Sequence, residues 1–243
     1  MSDNILKSFE VKETLNPKVW DDYKSLDNAK LKSDIRKSLL QVAEEFIYFV
    51  DVDLEISDIV LMGSLVNFNW SNFSDFDLHV IADFNQFSKE QKDLYEQFFD
   101  MKKTLFNIKH NIKILGFEVE LYLQDKNSAH FSDGVYSLID DEFISKPKKI
   151  TNKINTKLLQ DKTKQWMSII DGAIDNAKDE ELHTSIEILK KYYKKLKKYR
   201  QCGLEKGGEF SLENLVFKYL RRNGYVGKLL DFRNKIFDKK VSA

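Results

Sequence analysis

Asp75 and Asp77, with one residue between them, are the residues of this chain best placed to do chemistry. Side chains alternate between faces along a strand, so two carboxylates at that spacing point the same way. Side by side they repel unless a cation lies between them. The cation suited to an all-oxygen pair is Mg²⁺, with Mn²⁺ as a substitute, and Mg²⁺ in such sites usually also binds substrate phosphates. Two such ions about 3.5–4 Å apart activate an attacking oxygen and stabilise a leaving one. A third carboxylate is expected from Phe117-Glu118-Val119-Glu120-Leu121, where both glutamates fall on the polar face. Glu120, central in the run, is preferred, and Glu118 is the alternative.

Ten residues separate Gly63-Ser64 from Asp75, and the pair stands directly after the apolar run Ile59-Val60-Leu61-Met62. A glycine there lets a phosphate come close to the backbone. A helix opening at that point would offer N–H groups to an anion, and the Ser64 hydroxyl adds a donor. Ser74 and Trp70, from the Asn/Ser-rich stretch between, are assigned to the same nucleotide contacts. His79 shares the aspartate face and is taken first as structural, with metal or phosphate contact as the alternative. His130, near Ser132-Asp133-Gly134, is weighed equally as a pocket residue and as a plain loop histidine.

Positioning these groups requires strands. Ile59–Met62, Phe76–Ala82 and Gly116–Leu123 are short, apolar or alternating, and are predicted as strands. One or two more are expected in 134–144. Apolar residues at Ile35, Leu39, Ala43, Phe46 and Val50 predict an amphipathic helix over 27–50, with Asp27 or Asn28 as its cap. Ser88 caps a second helix over 88–107, and residues 1–26 are expected to be a loose lead-in. From 151 onward the pattern is helical: a stripe at Trp166, Ile169, Ile170, Ala173 and Ala177, another at Ile186, Leu189, Tyr193 and Leu196, and a glycine-bearing break at 202–210. Next is a helix capped by Ser211, stopping near Asn223-Gly224, and a last helix covers 225–237. The expected fold is therefore α+β: a mixed sheet with flanking helices in 1–150, its core about 27–125, and an all-helical region in 151–243.

Composition narrows the partners. The 243 residues carry 39 Lys and Arg against 39 Asp and Glu, so no global attraction to nucleic acid or membrane is expected. One cysteine, Cys202, excludes an internal disulfide and a multi-cysteine zinc site. No apolar run approaches the roughly 20 residues of a membrane span, and the start lacks a signal-peptide core; a soluble, cytoplasmic protein of unspecified oligomeric state is expected. The strongest local patch, Lys190-Lys191-Tyr192-Tyr193-Lys194-Lys195-Leu196-Lys197-Lys198-Tyr199-Arg200, is taken first as a solvated helix face, with nucleic-acid contact as the alternative. Arg221, Arg222 and Lys228 are given surface roles ahead of triphosphate contact.

The order Gly63-Ser64, Asp75-Phe76-Asp77, Val119-Glu120-Leu121 resembles the polymerase-β-type nucleotidyltransferase superfamily over roughly 55–125. More widely, the chain is similar to predicted nucleotidyltransferases of large tailed phages, through Gly134-Val135-Tyr136-Ser137 and the stretch Gly208-Glu209-Phe210-Ser211-Leu212-Glu213-Asn214-Leu215-Val216-Phe217. The resemblance implies a polymerase-β-like mixed sheet. It also implies Mg²⁺-dependent transfer of a nucleoside monophosphate from an NTP, with ATP expected, to a hydroxyl of RNA (tRNA included), protein or nucleotide. A phage protein of this kind would act in the host cytoplasm. Synthesis of an oligonucleotide signal on the same fold, or a silent, antitoxin-like binding module, are the alternatives.

Overall fold

The computed structural model describes residues 3–128, 132–149, 154–178 and 180–242; His130 lies outside them. The chain forms two compact units: Val11–Ile150, and Met1–Glu10 together with Thr151–Ala243. The opening helix α1 (Asp3–Lys7) thus belongs with the C-terminal helices and not with the N-terminal region where the sequence placed it.

The sheet unit begins with a segment that is far from loose. Leu15, Val19 and Trp20 are buried in the main core, and the Trp20 indole N–H donates to the Leu65 carbonyl at 2.8 Å. β1 (Trp20–Asp21) pairs antiparallel with β2 (Lys30–Leu31). That pairing claims the residues expected to begin a helix, so α2 (Ser33–Val50) starts later, with Lys32 at the N-cap position in place of Asp27 or Asn28. Its buried residues are Ile35, Leu39, Ala43, Phe46 and Val50, the stripe that a 3.6-residue period dictates.

Next come β3 (Ile56–Met62), β4 (Phe76–Ala82), α3 (Lys89–Lys109), β5 (Lys113–Ile114), β6 (Phe117–Asp125), β7 (Val135–Ser137) and β8 (Glu142–Ser145). The larger sheet has the order β5-β6-β4-β3-β7-β8. Among the described strands only β4 and β6 pair in parallel, and α3 provides the crossover that a parallel pair requires. α3 starts with a reciprocal Ser88–Gln91 capping box, which satisfies two otherwise orphaned N–H groups. Phe76, Leu78, Val119 and Leu121 are buried in the core, which fixes the other face of β4 and β6 outward.

The rim of β6 is closed unusually. β5 covers only Phe117 and Glu118, and the Val119 N–H donates to Ile112. Beyond it the Asn107 side chain of α3 takes both backbone groups of Leu121: its Oδ1 accepts from the Leu121 N–H and its Nδ2 donates to the carbonyl, each at 3.1 Å. A side-chain amide here substitutes for one residue of a missing strand.

The second unit adds α4 (Thr156–Lys178), α5 (Leu182–Gly207), α6 (Leu212–Arg222) and α7 (Tyr225–Val241) around a separate core that includes Trp166, Ile170, Leu189, Leu196 and Tyr219. α5 continues through Cys202 and Gly203 to Gly207 instead of breaking at 202. A Cβ on Gly203 would stand 2.5 Å from the Glu213 Cβ, so this glycine admits the neighbouring helix. Ser211 caps α6 by accepting from Asn214, and Gly224 takes the left-handed conformation between α6 and α7. Among the described residues no helix is long and apolar enough to cross a membrane.

Candidate metal centre

β4 and β6 bring three carboxylates together. Asp77 is in register with Glu120 across the parallel pair, and Asp75 stands one residue before β4. Ligand oxygens of Asp75, Asp77 and Glu120 all lie within 4.8 Å of one another, and each residue is half-buried. Glu118, the alternative third acid, is not in this cluster. Its side chain is 64% exposed and pairs with Lys113 at 3.1 Å. The reason is geometric: β4 begins at Phe76, so Glu118, two residues ahead of Glu120, passes the end of its neighbour and turns toward β5.

Gly63 comes directly after the last residue of β3, and Met62 is in register with Asp77. Its backbone, at φ 77° and ψ −160°, lies in a region essentially restricted to glycine. A Cβ there would sit 1.7 Å from Asp77 Oδ2. The aspartate carboxylate is therefore packed against the Gly63 backbone, so the close approach expected of a phosphate at Gly63 is made by Asp77. After Gly63 the chain makes a single 3-10 turn, Ser64–Val66, and does not open an α-helix. The helix-dipole contribution anticipated for an anion thus has no helix to supply it.

The turn is pinned from several sides. Ser64 Oγ and Ser74 Oγ are 2.7 Å apart, and Ser74, itself buried, also accepts from the Ser71 N–H at 2.9 Å. Asn67 Nδ2 donates to the Gly63 carbonyl at 2.7 Å and to Ser132 Oγ at 3.1 Å, while its Oδ1 accepts from the Gly134 N–H at 3.1 Å. Gly134, and through it β7, is thereby tied to the turn at Gly63. Trp70 is engaged elsewhere: its indole N–H donates to the Thr14 carbonyl at 2.8 Å, and the Lys12 ammonium lies 5.7 Å from its ring centre. These bonds tie it to the N-terminal segment; none joins it to the three acids.

Tyr122 was not singled out by its sequence position, yet it is the main support of Glu120. Its hydroxyl donates to Glu120 Oε2 at 2.7 Å. Burial pushes the phenol well above its usual range. The bond to Glu120 and the charges of Glu120, Asp77 and Asp75 raise it further, so it remains a donor. The clue was period two: Glu118, Glu120 and Tyr122 share one face of a strand. His79, in register with Tyr122, stacks on its ring with centroids 4.5 Å apart, and its Nδ1 lies 3.0 Å from Gln124 Oε1. Beside the acids opens a cleft of about 380 Å³ lined by Met62, Gly63, Asp77, His79, Gln124, Ser128 and Ser132.

The donor set fits a hard divalent cation: three carboxylates, oxygen only, at a spacing that one or two ions bridge. No family model, curated protein or solved structure matches this chain.

Proposed function

We propose that the protein is a divalent-metal-dependent nucleotidyltransferase, moving a nucleoside monophosphate from an NTP, with ATP the expected donor, to an acceptor hydroxyl. The observation that carries the proposal is the convergence of Asp75, Asp77 and Glu120 beside a cleft that Asp77 itself lines. Asp75 and Asp77 would hold Mg²⁺, and Glu120 would share one ion. Bound there, Mg²⁺ neutralises phosphate charge and lowers the cost of forming the alkoxide-like nucleophile.

The chain's own groups account for the rest. Glu120, held by Tyr122, orients the acceptor hydroxyl and receives its proton. Ser64, seated against Ser74, presents its hydroxyl to an outer phosphate. The acceptor oxygen bonds to the α-phosphorus as the bond to the β-phosphate oxygen breaks, and pyrophosphate leaves with the electron pair. Rate enhancement on this scheme comes from placement and charge neutralisation.

The test is incubation with α-labelled NTPs and Mg²⁺ or Mn²⁺, with RNA, protein or no acceptor. Label on RNA or protein is the expected result, and a new small nucleotide would instead identify a signal synthase. Absence of label together with absence of a Mg²⁺–NTP thermal shift would overturn the reading. Asp75→Asn with Asp77→Asn should abolish transfer while leaving the circular dichroism spectrum unchanged.

A further inference from the structure

The zero net charge of the whole chain conceals a division between its two units. The sheet unit, 11–150, holds 17 Lys and Arg against 25 Asp and Glu, a net charge of −8. The helical unit, 1–10 with 151–243, holds 22 against 14, a net charge of +8. Charge asymmetry on this scale is a signature of a polyanionic partner.

The positive charge is concentrated on α5 and α6. On α5, Lys191, Lys194, Lys195, Lys197 and Lys198 are all exposed, and none of them forms an ion pair with a described carboxylate. At the C-terminal end of this run a cleft of about 410 Å³ is lined by Lys197, Lys198, Arg200, Gln201 and Leu204. Arg200 is held rigidly beside it: its Nε donates to Asn214 Oδ1 at 3.1 Å, and its guanidinium lies 4.7 Å from the Phe217 ring centre. α6 adds Lys218, Arg221 and Arg222 at i, i+3 and i+4, where like charges destabilise a helix. Lys218 is only 20% exposed, and its carboxylate neighbour, Glu209, stands 3.6 Å away. Burial lowers its pKa, and Arg222, Arg200 and Arg221 oppose its charge further. Such crowding of cations is costly in the free protein and is relieved when an anion binds.

We infer that this face of α5 and α6 is a binding site for the phosphate backbone of a nucleic acid, met by Lys194, Lys197, Lys198 and Arg200 from α5 and by Lys218 and Arg221 from α6. Length separates this partner from a single nucleotide. The α5 cations run from Lys190 to Arg200, about 15 Å of helix axis at 1.5 Å per residue, along which a duplex presents on the order of nine phosphate charges. Chemistry separates it from a lipid surface. A helix lying on a membrane needs an exposed apolar face, whereas Leu189 and Leu196 of α5 are buried and no exposed large hydrophobic residue lies on that helix. The site does not depend on the metal centre.

The test is fluorescence anisotropy of the full-length protein with matched labelled RNA and DNA 20-mers, single- and double-stranded, across a salt series. Binding that weakens linearly in log salt is expected, and the arms identify the preferred nucleic acid. Lys194→Glu, Lys197→Glu and Lys198→Glu together should weaken binding on the order of tenfold or more, and should reduce the salt slope by about 2, at ~0.7 per single-strand phosphate contact. The control Lys157→Glu, Lys164→Glu and Lys235→Glu makes the same charge change at exposed positions on other helices and should retain most of the affinity. Asp75→Asn with Asp77→Asn should bind nucleic acid as the wild type does. The inference is overturned if the wild type binds none of the oligonucleotides at low salt, if both triple variants weaken binding equally, or if vesicles of anionic lipid are bound and the oligonucleotides are not.

Discussion

Replacing Gly63 by alanine should impair metal binding by a route that can be traced atom by atom. The new Cβ would start 1.7 Å from Asp77 Oδ2, 2.7 Å from its Cγ and 3.2 Å from its Cβ. Ordinary contact begins near 3.4 Å, so the carboxylate must retreat by about as much as the gap it now leaves. Magnesium–oxygen bonds are about 2.0–2.1 Å long with little angular tolerance, and a ligand displaced on that scale no longer reaches the same ion. The backbone penalty is separate: a non-glycine residue in this region costs on the order of 1–3 kcal/mol, or about 2–12 °C of melting temperature for a chain of this size. Gly116→Ala is the matched control, because Gly116 also has positive φ, at 85°, but a Cβ there meets nothing within 4 Å. Both variants should melt earlier. Only Gly63→Ala should bind Mn²⁺ more weakly, by about tenfold or more, the range seen when the support of a metal ligand is disturbed. Titration calorimetry with Mn²⁺ and a thermal melt measure the two effects separately. If Gly63→Ala binds Mn²⁺ like the wild type, or if Gly116→Ala loses affinity equally, the packing of Asp77 on the glycine is not what positions that carboxylate.

Tyr122→Phe deletes the 2.7 Å bond to Glu120 with little change of shape; Mn²⁺ affinity should fall about tenfold while the melting temperature moves little. Glu120→Gln should lose metal binding, whereas Glu118→Gln, which removes only an exposed partner of Lys113, should leave metal affinity unchanged and alter stability by less than about 1 kcal/mol. Asp125 gives the pH prediction. Burial pushes its carboxyl up, but Lys92 and the backbone and side chain of Asn127 outweigh that and hold it below 3.8. A depressed native pKa stabilises the fold above the unfolded value, and that stabilisation is lost as pH falls through the native pKa. Asp125→Asn should therefore lower the melting temperature at pH 7 and flatten its fall below pH 3.8, as monitored by circular dichroism.

Much of the site was legible because it is local. The one-residue spacing of Asp75 and Asp77, the buried alternation of Phe76, Leu78 and Val80, and the matching run from Phe117 to Leu121 each reflect a period of two. The Ser88 cap of α3 could be found in the same way, since both of its partners lie within four residues. The features that were not legible depend on distant pairing. The stretch before residue 27 looked loose because its order comes from contacts such as Trp20 with Leu65 and Lys12 with Phe68. The choice between Glu118 and Glu120 is set by where β4 begins, which neither glutamate encodes. Gly203 resembled a helix stop because its purpose, room for Glu213, is visible only after α6 has packed.

The amide of Asn107 bears on how copies of this protein meet one another. A strand rim with free N–H and C=O groups is a template for another chain, and proteins with such rims tend to stack edge to edge. Here the rim of β6 is sealed just beyond Glu120 by a side chain of its own crossover helix. Asn107→Ala would unseal it, and concentrated solutions of that variant should become turbid first, by self-association through β6.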